Sequence, residues 1–135
     1  MIMKVTVVKE LVVTVSNKVG VLADMAQLLA DAKVNIEAVA GYADKDNTAK
    51  IMFITKNNRK ALVVLKKAKY SAVKVRPALV VELKNKLGAL ALLTQKLAIA
   101  DIDIKQTYGT VAGVGNARLV VSTADAKKTA VALKK

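Results

Sequence analysis

The chain repeats itself. Displaced by 68 positions, residues 3–67 align with residues 71–135 without a gap, and 23 of the 65 pairs are identical. The identities include Asn17/Asn85, Lys18/Lys86, Gly20/Gly88, Leu22/Leu90, Gln27/Gln95, Leu29/Leu97, Ala32/Ala100, Ile36/Ile104, Gly41/Gly109 and Leu65/Leu133. A length of 135 residues suits one ordinary domain or two very small ones. Self-similarity at this period means one supersecondary unit used twice, so the expectation is a first unit over residues 9–76 and a second over 77–135.

The two units read alike. Residues 11–15 and 79–83 are short, apolar, largely β-branched runs ended by Asn-Lys-x-Gly, the pattern of a strand followed by a tight turn. After the glycine the apolar period changes from 2 to 3.6: Leu22, Met25, Ala26, Leu29 and Ala32 share one helix face, as do Leu90, Leu93, Thr94, Leu97 and Ala100. Residues 34–41 and 102–109 alternate as a second strand, 42–49 and 110–116 carry Asp, Asn or Gly for hairpin turns, and 51–55 and 119–123 read as a third strand. Residues 58–68 and 125–134 then form a lysine-rich helix.

A fourth strand is expected at residues 72–75, just before Pro77, but the second unit has no such run before Lys135. Residues 3–7 match 71–75, with Val5/Val73 and Val7/Val75 identical, so an N-terminal strand over 3–8 is expected to complete the second sheet. A hairpin of that strand onto residues 11–15 is disfavoured, because no Gly, Asn-Gly or Pro lies between Val5 and Val15. The β-α-β-β-α-β order implies an α+β fold, each unit an antiparallel four-stranded sheet with both helices on one face. Side-by-side sheets would cover the strand edges of units this small.

Composition prunes the chemistry. The absence of Cys, His and Trp removes disulfides, thiolate and imidazole nucleophiles, and most zinc, haem and iron–sulfur sites. Asp44-Lys45-Asp46 and Asp101-Ile102-Asp103 have Asp-x-Asp spacing but no further oxygen ligands in register, where calcium wants about 6 or more. Ser16, Ser71 and Ser122 have no histidine to serve as base. Gly109, Gly113 and Gly115 fall between two strands, which suits a flexible hairpin better than a phosphate loop. The expectation is no enzyme, no metal and no cofactor. The best membrane candidate, residues 87–100, is 14 long and contains Lys96, short of the roughly 18 a span needs. Lys9 and Glu10 interrupt any secretory pattern at the N-terminus, so a cytoplasmic location is expected.

The loop Asn17-Lys18-Val19-Gly20-Val21-Leu22 and its copy Asn85-Lys86-Leu87-Gly88-Ala89-Leu90 join a strand to a helix N-terminus. Unpaired N–H groups and the positive end of the helix dipole suit a small carboxylate there, although a tight turn alone would want the same Asn and Gly. With Val34-Asn35-Ile36-Glu37-Ala38 following 12 residues after Leu22, this string resembles the ACT domain, an amino-acid-sensing module of metabolic enzymes and regulators. Asn85 to Leu90 followed by Ile102-Asp103-Ile104 repeats the pattern, so the chain is similar to stand-alone tandem ACT proteins, built from ferredoxin-like units without a catalytic domain.

The resemblance implies a regulatory protein that binds a small amino acid between neighbouring units and forms a homo-oligomer, expected to be a dimer through sheets or helices. In serine-sensing ACT domains the ligand is held by the Asn of the loop and the Asn of the following strand. By motif these are Asn17 and Asn35, with Ile36 beside the latter and Lys18, Val19, Gly20, Val21 and Leu22 forming the loop. In the second unit Asn85, Gly88, Ala89 and Leu90 match, but Asp103 replaces the strand Asn, and Val19 and Leu87 replace the usual loop proline. A carboxylate at 103 would receive an ammonium group or repel a ligand carboxylate.

The charge offers a rival reading. Twenty Lys and three Arg face ten acids for a net +13, and nine Lys or Arg occur between Asn47 and Val81 with no acid. Electrostatic binding to nucleic acid, or docking of a regulatory subunit on an acidic partner enzyme, would use such a surface. The third strands supply only Phe53 for stacking on bases, which makes nucleic acid the weaker of the two.

Overall fold

The structure, a computed structural model, describes residues 2–111 and 115–135, with Met3 described by its backbone alone. In chain order the elements are β1 (Ile2–Ser16), α1 (Val21–Asp31), β2 (Ile36–Ala43), β3 (Thr48–Thr55), α2 (Asn58–Lys67), β4 (Val73–Lys84), α3 (Ala89–Ile99), β5 (Gln106–Val111), β6 (Asn116–Ser122) and α4 (Ala126–Lys134). The chain divides into two compact units. One is Lys9–Arg76; the other is Pro77–Lys135 together with residues 2–8.

In the Lys9–Arg76 unit the strand order is β2-β3-β1-β4, with β2, β3 and β1 antiparallel. Alternate residues of β1 (Leu11, Val13, Val15) and β3 (Ala49, Ile51, Phe53) point to one face. They form one core with Met25 and Leu29 of α1 and Ala61 and Leu65 of α2, which places both helices on that face. The second unit has the order β5-β6-β4-β1, and Leu79, Val81 and Leu83 pack with Val121, Leu93, Leu97 and Leu133. Ile2 and Val5 of β1 pack against this second core, so the N-terminal strand completes the second unit's sheet. Each unit is thus a βαββαβ sandwich, the second with its last strand supplied from the start of the chain.

Several boundaries differ from the sequence reading. The runs at 3–8 and 11–15 are one uninterrupted strand through Lys9 and Glu10, and Pro77 lies inside β4 where a break was expected. Pro77 is tolerated because its fixed φ is compatible with extended backbone and the β6 ladder begins only at Leu79. The second strands start later than expected, β2 at Ile36 and β5 at Gln106 instead of 34 and 102. Lys33 and Asp101 take left-handed φ values of 60° and 56° after the first helices, so the chain leaves each helix without entering the ladder at once. Ile102 and Ile104 still pack inward, as their alternation predicted. The first hairpin is tighter than 42–49, with Asp46 and Asn47 at positive φ, residue types that adopt the left-handed region most readily after glycine. Of the hairpin expected at 110–116, residues 112–114, including Gly113, lie outside the described residues.

Glu10 is fully buried in β1 of the first unit, and Arg76 of β4 donates to it, Nε to Oε1, at 2.8 Å.

Candidate ligand-binding site

The loop after β1 is shaped by its glycine. Gly20 sits at φ 89° and Gly88 at φ 84°, both the residue before the helix, and neither helix has a side-chain cap. A Cβ at either glycine would meet nothing within 4 Å, so backbone conformation alone demands glycine there. Gly20→Ala should therefore lower stability by about 1–2 kcal/mol, the cost of a left-handed Cβ. A thermal melt of this variant unchanged from wild type would contradict the conformational argument.

Two bonds fix the loop. Asn17 N–H donates to the Asn47 carbonyl at 2.8 Å, tying it to the β2–β3 turn, and Val21 N–H donates to the Lys18 carbonyl at 3.2 Å. The first intrahelical bond is Asp24 N–H to Gly20 carbonyl, 2.9 Å. The N–H groups of Leu22 and Ala23 are left without an acceptor among the described residues, as a helix start requires. The second unit repeats the arrangement: Asn85 N–H donates to Gly115 carbonyl at 2.7 Å, Ala89 N–H to Lys86 carbonyl at 3.1 Å, and Leu92 N–H to Gly88 carbonyl at 2.9 Å.

A solvent-open pocket of about 430 Å³ lies against the first loop. Its wall is Asn17, Lys18, Gly20, Val21, Leu22 and Ala23 on one side, and Gly41, Tyr42, Ala43, Ala49 and Ile51 from the facing ends of β2 and β3. All of these belong to the Lys9–Arg76 unit. Lys18 is the one charged side chain of the lining, the Asn17 amide makes no hydrogen bond among the described residues, and the floor is apolar. Gly41 keeps the floor open: a Cβ there would come 3.0 Å from Ile51 Cδ1.

Of the predicted ligand residues, Asn17, Lys18, Gly20, Val21 and Leu22 are brought together. Val19 points wholly into solvent and lines nothing. Asn35 and Ile36 lie at the other end of β2: Ile36 packs on the core, and the Asn35 carbonyl accepts from Lys56 N–H at 3.1 Å. At about 3.3 Å per residue, Asn35 is roughly 20 Å along the strand from Gly41. In the second unit Asn85, Gly88 and Leu90 are exposed and Ala89 is buried. Asp103 already pairs with Lys105 at 2.9 Å on the surface. Sequence reasoning missed Gly41, Tyr42, Ala43, Ala49, Ile51 and Ala23; the signal that pointed there was the repeat identity Gly41/Gly109. Among the described residues no group of three or more carboxylates is placed to hold a metal ion, and no helix is long and apolar enough to cross a membrane.

Residues 9–67 match the family model of the ACT domain. Protein BT0572 from Bacteroides thetaiotaomicron is 25% identical to this chain, with a TM-score of 0.86 over 96% of this chain and 88% of that one. The ligand-free regulatory subunit of aspartate kinase from Thermus thermophilus has the same fold at 13% identity and a TM-score of 0.71, covering 98% and 94% of the two chains. That of Thermus flavus has it at 14% and 0.68, covering 98% and 96%. No curated protein sequence matches the chain.

Proposed function

We propose that the protein, whose residues 9–67 match the ACT family model, is a non-catalytic regulatory module that binds a small amino acid at the strand-to-helix loop and reports its occupancy to a partner in the cytoplasm. The observation that carries this reading is the pocket lined by Leu22 and Ala23, whose N–H groups have no acceptor among the described residues. A ligand carboxylate there gains the helix dipole, two N–H donors and the Lys18 ammonium. The Asn17 amide is available to the polar end of the same ligand, and Val21, Leu22, Ala43, Ala49 and Ile51 offer its side chain an apolar surface. With no carboxylate in the lining, a neutral apolar amino acid is preferred over lysine or arginine.

Asn35 is too far from this pocket to touch a small ligand held in its own unit. Its role in ligand binding therefore requires a neighbouring unit, and a homodimer that supplies one is part of the proposal. The second loop, at Asn85, Gly88, Ala89 and Leu90, is the poorer site, since Asp103 stands where the first unit has Asn35 and is engaged by Lys105. The resemblance in fold to aspartate kinase regulatory subunits supports a regulatory rather than a catalytic role.

Thermal melts against a panel of the common amino acids test the reading. One or a few neutral ones should raise the midpoint, by an amount equivalent to about 2.7 kcal/mol at a hundredfold excess over Kd. Asn17→Ala should abolish the shift. Gly41→Ala should weaken it while leaving the unliganded melt nearly unchanged, because its Cβ meets only the movable end of Ile51 closely. If no amino acid moves the midpoint and a nucleic acid binds with steep salt dependence, the electrostatic reading replaces this one.

A further inference from the structure

The two second helices, α2 and α4, carry the same outward face. Arg59, Lys60, Val63, Lys66 and Lys67 on α2 align in the repeat with Lys127, Lys128, Val131, Lys134 and Lys135 on and just after α4. At 100° per residue the five positions of each set fall within about 120° of arc, with the valine at its centre. The core residues Leu65 and Leu133 lie on the opposite side, and both valines are exposed, 48% and 56%. Lys18/Lys86 in the loops aside, much of the exposed charge elsewhere drifts between the repeats: Asp24 faces Leu92, Asp31 faces Ile99, Lys33 faces Asp101 and Glu37 faces Lys105. None of these eight cations has a carboxylate within ion-pair distance among the described residues.

Helix stability does not account for the pattern. Lysines in the last turn favour the helix dipole, but Arg59, Lys60, Lys127 and Lys128 stand in first turns, where a cation opposes it, and neither first turn has an acid. We infer that each of these faces docks an acidic protein segment with an apolar side chain at its centre, the four cations ringing the contact and the valine seating the apolar group. The charge complementarity and the exposed apolar centre set the occupant. Nucleic acid gives the valine little to contact beyond thymine methyl groups, and neither helix has an aromatic for stacking. A membrane surface calls for large apolar residues on the outward face, whereas here the apolar face of each helix is buried in its core. This surface stands independently of the amino-acid pocket.

The test uses the whole protein and a fluorescent helical peptide bearing glutamates at i, i+1, i+7 and i+8 around a leucine at i+4. A version with serine for the leucine, a short DNA duplex and phosphatidylserine vesicles serve as competing probes. Saturable binding of the leucine peptide is expected, weaker for the serine peptide and for Val63→Ser/Val131→Ser. The variant Arg59→Glu/Lys60→Glu/Lys127→Glu/Lys128→Glu should lose about tenfold or more in affinity, the size expected for reversed charge pairs. Its melting temperature should hold or rise, since glutamate suits a helix N-terminus. No binding of the leucine peptide at low salt, binding indifferent to leucine and valine, or tighter binding of DNA or vesicles would each overturn the inference.

Discussion

Deleting residues 1–8 is expected to unfold the C-terminal unit while leaving the Lys9–Arg76 unit folded. The deletion removes one of the four strands of that unit's sheet and the side chains of Ile2 and Val5 from its core. It also bares β4, whose unpaired backbone groups would face solvent. A unit of this size buries only about 60% of its unfolded surface even when complete, so it has little reserve. Hydrogen exchange reads the effect directly: amides of α3 and α4 should lose protection by the equivalent of several kcal/mol, and those of α1 and β3 should keep it. Retained protection in α3 and α4 would show that the N-terminal strand is dispensable to the second unit.

The second large effect is expected at Arg76. Glu10 is fully buried, and the Arg76 guanidinium lies 2.8 Å from its carboxylate. Removing the cation leaves a desolvated anion with less compensation, which costs about 1–3 kcal/mol for a pair whose arginine is partly exposed. Arg76→Ala should therefore lower the melting midpoint by roughly 5 °C or more. Glu10→Gln in the Arg76→Ala background should recover part of the loss, because an amide is cheaper to bury than a carboxylate. A loss under about 1 kcal/mol for Arg76→Ala would place the pair with ordinary surface ion pairs.

These two effects mark where local sequence pattern stops being informative. The strands, helices and their order were legible because alternation and the 3.6 period recur at the same places in both halves, and the repeat match of residues 3–7 to 71–75 located the N-terminal strand. The merging of neighbouring runs into β1 and β4 was not legible. Lys9, Glu10 and Pro77 look like interruptions, and the partner that makes Glu10 tolerable in a strand centre is 66 positions away. The loop half of the pocket could be read from Asn17 and Gly20, whose chemistry is local. Its other wall, Gly41 to Ala43 with Ala49 and Ile51, is assembled by strand register, Gly41 opposite Ile51 and Ala43 opposite Ala49. Asn35 was placed by family motif, and the length of β2 separates it from the loop of its own unit.

Backbone amide chemical shifts of isotope-labelled protein, titrated with the amino acids of the melting panel, test the amino-acid reading most directly. It predicts that a neutral apolar amino acid shifts Leu22 and Ala23, whose N–H groups would bind the carboxylate, together with Gly41 to Ala43 on the facing wall. Saturation with every amino acid in the panel and no movement of these resonances would contradict it.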